Sequence, residues 1–142
     1  FHEELPNGET CNCDFENTVC SGCHFYEVNT DSETWHDAKA ICEGKGGQLA
    51  MINKASVFNL VRQFIFNNGY DDDVIYGFWF GLNDLANEGE YVWSDGTILS
   101  DDDFTKWARN QPSGGNRPDG VQDCIQMWVV KHLFYFHYLD FY

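Results

Sequence analysis

The order of apolar and polar residues predicts strands near both ends of the chain and helices between them. The run "HFYEV", residues 24–28, has the bulky residues typical of a strand. Behind it, Trp35, Ala38 and Cys42 recur at helical spacing along one stripe. Ser32 stands just before this stripe and is a good helix N-cap. The pattern therefore predicts a strand followed by a first helix.

A second helix is predicted after a short apolar run. Glycines at 44, 46 and 47 end the first helix, and "QLAMI", residues 48–52, is then typical of a short buried strand. Asn53 can cap the next helix, which Asn67, Asn68 and Gly69 bring to an end. The apolar side of this helix consists of Val57, Phe58, Val61, Phe64 and Ile65.

Later in the chain the pattern changes from helix to strand and loop. The aromatic run at residues 75–82 predicts a strand, and residues 83–119 carry mostly loop chemistry. Trp93 and Trp107 lie within this long segment and indicate that it is pinned to a core. The end of the chain holds two strand-like runs joined near Lys131 and His132. This order predicts an α+β fold with a mostly antiparallel sheet.

Length and charge narrow the class of protein. The chain has 142 residues, which fits one domain, and a formal net charge of −15. Only 8 Lys and Arg residues are present, which argues against nucleic acid and against anionic membranes as partners. An acidic surface favours divalent cations. No segment is long and apolar enough to span a bilayer. We find no nucleophile elbow, catalytic Cys-His pair or phosphate loop, so we expect no enzymatic activity.

The six cysteines are consistent with an oxidising, extracellular location. Their even number in a short chain favours disulfides, and a zinc site is the alternative. In "CNC" only one residue separates the first pair, whereas structural zinc sites usually have wider gaps, so disulfides are favoured. The cysteines are Cys11, Cys13, Cys20, Cys23, Cys42 and Cys124.

Four sequence segments together resemble the C-type lectin-like domain. They are "ETWHDAKAICEGKGGQLAMI", "FWFGLND", "EYVWSDGTILSDDDFTKWARNQP" and "VQDC". The resemblance covers residues 23–142 and implies two helices packed on a mostly antiparallel sheet with a long loop region. Residues 1–22 resemble the additional Cys-rich hairpin of the long form of this domain. The family binds calcium through the long loop and often sugar through calcium, whose ligands are oxygens.

The resemblance implies a sugar-binding calcium site of reduced quality. The triplet that normally supplies it is Gln111-Pro112-Ser113, in which Pro112 fits the usual cis-proline and Ser113 is short and uncharged. Gln122 replaces the family's Glu, and Asp140 alone brings a formal charge. We expect this site to be weak or empty, because calcium affinity follows ligand charge and number. The Gln-Pro start favours galactose-type over mannose-type sugars.

An auxiliary calcium site is better preserved according to the resemblance. Asp84, Glu88 and Asp123 match the acidic ligands of the family, and Asn87 could assist them. Gly114 occupies the position of the fourth ligand. The competing interpretation is that Asp84 and Glu88 only cap turns and face water.

The resemblance also raises a question about two cysteines. It implies that the partners of Cys42 and Cys124 would lie beyond Tyr142. Either the sequence continues, or these thiols pair differently, including between molecules.

Two functions from different classes therefore stay open. The first is a secreted carbohydrate-binding protein, assisted by calcium. The second is a structural or interaction protein on the lectin scaffold that assembles into oligomers or extracellular fibres. The tail "HLFYFHYLDFY" favours the second, because an aromatic strand at a sheet edge tends to pair with other chains.

Overall fold

A computed structural model describes residues 16–21, 24–73, 77–112, 123–130 and 133–139. Its helices and antiparallel strands confirm the α+β fold, with a third, short helix that the sequence pattern did not predict. The elements are β1 (Thr18–Ser21), β2 (His24–Glu27), α1 (Trp35–Gly44), α2 (Ala55–Asn67), α3 (Tyr70–Asp73), β3 (Gly77–Asn83), β4 (Val92–Trp93), β5 (Cys124–Val130) and β6 (Leu133–Leu139).

The strands form two antiparallel sheets. β1 and β2 make a hairpin in which Thr18 faces Glu27. The other four strands lie in the order β4-β3-β5-β6, and all neighbours are antiparallel. The β1–β2 hairpin crosses the boundary between residues 22 and 23 at which the sequence predicts the second domain to begin. The division into residues 1–22 and 23–142 stays a prediction.

Helix α1 begins two residues later than the position of Ser32 implies. Its N-cap is Thr34, whose hydroxyl accepts a hydrogen bond from the backbone N–H of Asp37 at 3.1 Å. In turn, the Thr34 hydroxyl donates to the Asp37 carboxylate at 2.8 Å. The choice of Ser32 as the cap was therefore wrong, because Thr34 has the spacing that reaches the first free backbone N–H groups.

Two tryptophan side chains hold the start of α1 against β3. The indole Nε1 of Trp35 donates to the carbonyl of Phe80 at 3.0 Å. In the opposite direction, the indole Nε1 of Trp79 donates to the carbonyl of Glu33 at 2.8 Å. We call this pair of hydrogen bonds the tryptophan clasp, and it holds the start of α1 on the sheet. The ring of Trp35 is buried and packs with Leu49 and Cys124.

The prediction of α2 is confirmed, but its surroundings differ from the prediction. Its N-cap is Lys54, which makes no side-chain cap bond. Asn53 instead uses its carbonyl to accept from the backbone N–H of Phe104, so its assignment as the cap was wrong. Residues 48–52 form neither strand nor helix, so the prediction of a strand there was wrong. One backbone–backbone bond, from the N–H of Gly81 to the Ala50 carbonyl, joins this described segment to β3.

The main core lies between α2 and the four-stranded sheet. Val57, Phe58, Val61 and Ile65 supply the helical side, as the apolar stripe predicts. The sheet supplies Phe80, Leu82, Trp93, Ile125 and Met127, each at most 2% exposed. Phe64, which the pattern also places on the apolar side, is only half-buried.

Within β3 the normal alternation of faces is interrupted. Trp79 pairs with Gln126, and Asn83 pairs with Cys124. Between these two pairs β3 advances by four residues, whereas β5 advances by only two. This β-bulge allows Phe80, Gly81 and Leu82 to be buried consecutively.

At the bulge, Gly81 of β3 is in close contact with Ser94 of the long loop. The hydroxyl of Ser94 donates to the Leu49 carbonyl at 2.9 Å and to the Gly81 carbonyl at 3.3 Å. A Cβ atom at Gly81 would lie 1.7 Å from the Ser94 Oγ and 2.7 Å from the Leu49 carbonyl oxygen. Only glycine therefore permits this approach.

We expect Gly81→Ala to lower the free energy of unfolding by about 2 to 3 kcal/mol, because the new methyl group would displace Ser94 or the backbone at Leu49. Urea denaturation at pH 7 measures the effect. Gly44→Ala is the matched control, since a Cβ there meets nothing within 4 Å. It should leave the stability equal or slightly higher. Equal effects of the two substitutions would contradict the close approach at Gly81.

Candidate functional site

The segment that follows β3 is fixed to the core by its tryptophans, as the sequence predicts. Trp93 is 2% exposed, and its indole Nε1 donates to the Asp103 carboxylate at 3.1 Å. Asp103 also accepts from the backbone N–H of Ser100 at 3.0 Å. Trp107 packs against the core with its ring 5.7 Å from that of Tyr91. The base of the long loop is therefore ordered by its own side chains.

The acidic residue at the centre of the candidate site is Asp84, which is 1% exposed. It directly follows β3, and its backbone N–H donates to the carbonyl of Asp123 at 2.9 Å. Its carboxylate Oδ2 accepts from the backbone N–H of Gly89 at 2.8 Å. The turn at residues 85–89 thus folds back over Asp84, and Asp123 is brought beside it from the other end of the loop.

Burial and neighbouring negative charge change the titration of this group. The pKa of Asp84 is raised from 3.8 to about 6, with burial as the main cause. The hydrogen bond from Gly89 lowers this pKa, and the charges of Glu88 and Asp123 contribute to raising it. The pKa of the Tyr91 hydroxyl is raised by burial first and then by Asp84 and Glu88. These shifts show that Asp84, Glu88 and Asp123 share one negative electrostatic environment.

The four residues predicted to bind the auxiliary calcium are not equivalent in position. Asp84 is buried and Asp123 half-buried, whereas Asn87 and Glu88 are exposed. Asn87 donates from its side-chain amide to Glu90 at 3.4 Å. Within the described ranges, no three His, Cys, Asp or Glu side chains form a group that could hold a metal ion. The carboxylates therefore interact through their charge without forming a finished ligand set in this conformation.

Of the predicted sugar-site residues, the structure describes only Gln111. It is half-buried, and its backbone N–H donates to the Ala108 carbonyl at 3.0 Å. The Gln111–Pro112 peptide bond is cis, as the resemblance implies. Ser113, Gln122 and Asp140 lie outside the described residues, as does Gly114.

Some of the cysteines lie among the described residues and others do not. Cys20 is disulfide-bonded, and Cys42 and Cys124 carry thiols. Burial raises the pKa of the Cys42 thiol. Cys11, Cys13 and Cys23 lie outside the described residues, so the full set of disulfides stays a prediction.

Two contributors to the site were not found by the sequence analysis. Gly89 supplies the backbone donor to Asp84, and Tyr91 lies in the same negative environment. The signal for the first is the Asn-Glu-Gly turn, because glycine allows the positive φ of 79° that Gly89 adopts. The chain offers no comparable local signal for Tyr91.

Among the described residues, no helix is long and apolar enough to cross a membrane.

Comparison with known proteins identifies the family. The family sequence model of the lectin C-type domain matches residues 31–133, so the chain belongs to this family. The match includes β3, the start of the long loop, Asp84 and Asp123.

Relatives of known sequence agree with this assignment. A perlucin-like protein from Mytilus galloprovincialis is 31% identical over 76% of the chain and 62% of its own length. The human C-type mannose receptor 2 is 29% identical over 74% of the chain but only 6% of its own length. The chain therefore spans less than two thirds of these relatives.

Solved structures of similar shape confirm the fold. The C-type lectin CEL-I from Cucumaria echinata is 24% identical, with a TM-score of 0.69 over 91% of this chain and 90% of that one. Human lithostathine is 23% identical, with a TM-score of 0.71 over 96% and 87% of the two chains.

The raised pKa of Asp84 predicts that the calcium-free protein loses stability as the pH rises from about 4 to 6. Over this interval the folded protein holds a proton on Asp84 that the unfolded chain has already released, so stability falls by on the order of 2 kcal/mol. Thermal unfolding in a chelating buffer measures it, and Asp84→Asn should remove this component.

Asp95→Asn provides the matched control. The hydroxyl and backbone N–H of Thr97 bond the exposed Asp95 carboxylate and lower its pKa. Its small contribution is present above the ordinary pKa and is lost as the pH falls, which is the opposite sign. If Asp84→Asn and Asp95→Asn changed the pH profile in the same direction, the assignment of Asp84 would be wrong.

Proposed function

We propose that the chain is a secreted carbohydrate-binding protein whose long loop is ordered by calcium at the auxiliary site. The observation that carries this proposal is the buried carboxylate of Asp84 beside the charges of Glu88 and Asp123, in a chain that belongs to the C-type lectin domain family. We expect no enzymatic activity from it.

The negative environment around Asp84 fits a divalent cation. Repulsion among the three charges disfavours their joint ionisation, and a bound cation would remove that cost. Oxygen donors from Asp84, Glu88 and Asp123, with Asn87 in support, have the chemistry that calcium prefers. Glu88 and Asn87 are exposed on the turn that covers Asp84, so calcium binding would require their side chains to turn toward it. Calcium would then connect the two ends of the loop.

The sugar site is proposed to be weak. Gln111 offers an amide oxygen, but Ser113 and Gln122 are uncharged, and Asp140 brings the remaining formal charge. Fewer charged ligands mean lower calcium affinity. The Gln-Pro start of the triplet supports a galactose-type ligand.

Retention on immobilised galactose tests the sugar function. We expect the protein to be retarded in millimolar calcium and to elute with free galactose or a chelator. Gln111→Ala should reduce retention about tenfold or more, whereas Gln63→Ala, an exposed glutamine on α2, should not. Equal retention on galactose, mannose and an unmodified resin would contradict sugar binding.

Calcium should raise the midpoint of thermal unfolding of the wild-type protein at pH 7.5. Binding at a hundredfold excess over the dissociation constant stabilises by about 2.7 kcal/mol, which corresponds to several degrees. Glu88→Gln should reduce this shift because it removes one charged ligand. Asp72→Asn, which makes a comparable change of charge at an exposed position of α3, is the control and should retain the full shift. An unchanged shift in Glu88→Gln would contradict the site.

Self-association is the second candidate function, and the position of β6 favours it. Among the described strands, Leu133–Leu139 is the outermost of the four-stranded sheet, beside β5. Backbone groups on such a strand can pair with a strand from another molecule.

Sedimentation velocity over a hundredfold range of concentration distinguishes the two functions. Growth of large assemblies together with no retention on galactose would support a structural role. A single monomeric species that binds galactose would support the lectin.

A further inference from the structure

Tyr91 stands where the acidic turn at residues 84–89 meets the next strand of the sheet. In the pairing of β3 with β4, Asn83 lies opposite Val92. The two strands are antiparallel, so the next residues along them, Asp84 and Tyr91, face each other just beyond this last pair. Residues that lie directly opposite in antiparallel strands have Cβ atoms about 5 Å apart. The course of the backbone therefore brings Tyr91 beside the buried acid.

The burial of these residues supports the same placement. Leu82 and Trp93 form the pair one step earlier, and both are buried in the main core. Side chains alternate between the two faces of a sheet, so the residues two positions further along each strand return to the core face. In agreement, Asp84 is buried and Tyr91 packs against the main core. Both side chains therefore lie on the same side of the sheet.

The hydroxyl end of Tyr91 responds to the acidic turn. Burial is the main cause that raises the pKa of this hydroxyl, and the charges of Asp84 and Glu88 contribute to raising it. These charges act on the hydroxyl because it lies near them, since the interaction between charged groups falls with distance. A proton or a cation at Asp84 therefore changes the electrostatic field at the Tyr91 hydroxyl.

The ring of Tyr91 contacts a residue from the far part of the long loop. Its centroid lies 5.7 Å from that of Trp107, with an angle of 54° between the ring planes. Aromatic pairs at such separations attract one another. Trp107 leads directly into the turn in which the backbone N–H of Gln111 donates to the Ala108 carbonyl at 3.0 Å. Through one side chain, the acidic turn is therefore connected to the residue that precedes the Gln111 turn.

The segment before Trp107 is fixed to a different part of the fold. The backbone N–H of Phe104 donates to the Asn53 carbonyl at 2.9 Å. The ammonium group of Lys106 lies 5.2 Å from the ring centroid of Phe58, on α2. These contacts hold one end of the segment on the helix side of the core. The ring contact described above adds a connection from its other end to the acidic turn.

We propose that Tyr91 is a positioning residue for the sugar triplet, which transmits a change of charge beside Asp84 to the backbone at Gln111. Its hydroxyl follows the electrostatic field of the acidic turn, and its ring carries the resulting movement to Trp107. The consequence for sugar binding rests on the calcium and sugar sites proposed above. Calcium at the auxiliary site would then improve the position of Gln111 without Tyr91 binding the ion.

A calcium titration of the ¹⁵N-labelled protein at pH 7.5, followed by NMR, tests this connection. The amide of Gly89, which donates to Asp84, reports the ion at the acidic site, and the amide of Gln111 reports the far end. In the wild-type protein both signals should shift with the same midpoint. Tyr91→Phe keeps the ring and removes the hydroxyl, so it should fold and keep the Gly89 shift. Its Gln111 shift should be smaller by about threefold or more.

Tyr70→Phe is the matched control, because the Tyr70 hydroxyl donates to Asn17, away from the long loop. It should leave both shifts at their wild-type size. An equal Gln111 shift in the wild-type protein and in Tyr91→Phe would overturn the role of Tyr91, as would a wild-type Gly89 shift with no Gln111 shift. The absence of any Gly89 shift would instead contradict the calcium site, and the role of Tyr91 is then decided without calcium.

The calcium-free experiment changes the charge by substitution. In a chelating buffer, Asp84→Asn removes a carboxylate, and it should shift the Gln111 amide when Tyr91 is present. In the Tyr91→Phe background the same substitution should shift this amide about threefold less, because the two residues act through one connection. Asp95→Asn, at an exposed position of the same loop, is the control and should leave the Gln111 amide unchanged in both backgrounds. Equal effects of Asp84→Asn in the two backgrounds would overturn the proposal whether or not the protein binds calcium.

Discussion

The contact between Ser94 and the bulged part of β3 fixes the first part of the long loop on the sheet. Through one hydroxyl, Ser94 connects the Leu49 carbonyl to the Gly81 carbonyl, and the absence of a side chain at Gly81 makes room for it. Trp93, the preceding residue, is buried in the core and bonded to Asp103. The loop is therefore anchored just after the acidic turn at residues 84–89, and this anchor keeps the candidate site attached to the sheet.

One carboxylate is buried at the end of β3, where the long loop leaves the sheet. Asp84 leaves the sheet directly after Asn83, and its backbone is bonded to that of Asp123. Its side chain then has no route to solvent, because the turn to Gly89 closes over it. The calcium ion proposed for this site would offset the cost of burying the charge.

The spacing of apolar residues in the sequence predicted the helices and strands whose buried residues recur regularly. Helix α2 followed from the spacing of Val57, Val61 and Ile65, and β5 and β6 followed from two apolar runs. Residues 48–52 were assigned wrongly because burial alone makes an apolar run resemble a strand. Their backbone has a single bond to the sheet, from Gly81, and no pattern of residue types encodes that difference.

The candidate site was less accessible to sequence reasoning than the fold. Asp84 and Asp123 are far apart in the chain, and only the family resemblance suggested that they meet. Their proximity depends on the pairing of β3 with β5, which the irregular register at the bulge makes impossible to count from spacing.

The tryptophan clasp has a consequence for the rate of folding. Its two bonds join residues that are 45 and 46 positions apart, and they connect the start of α1 to a strand that follows both α1 and α2. Helix α1 therefore cannot reach its final position until a long intervening segment has been closed into a loop. Contacts of this separation slow folding, so this chain should fold more slowly than a helical protein of equal length.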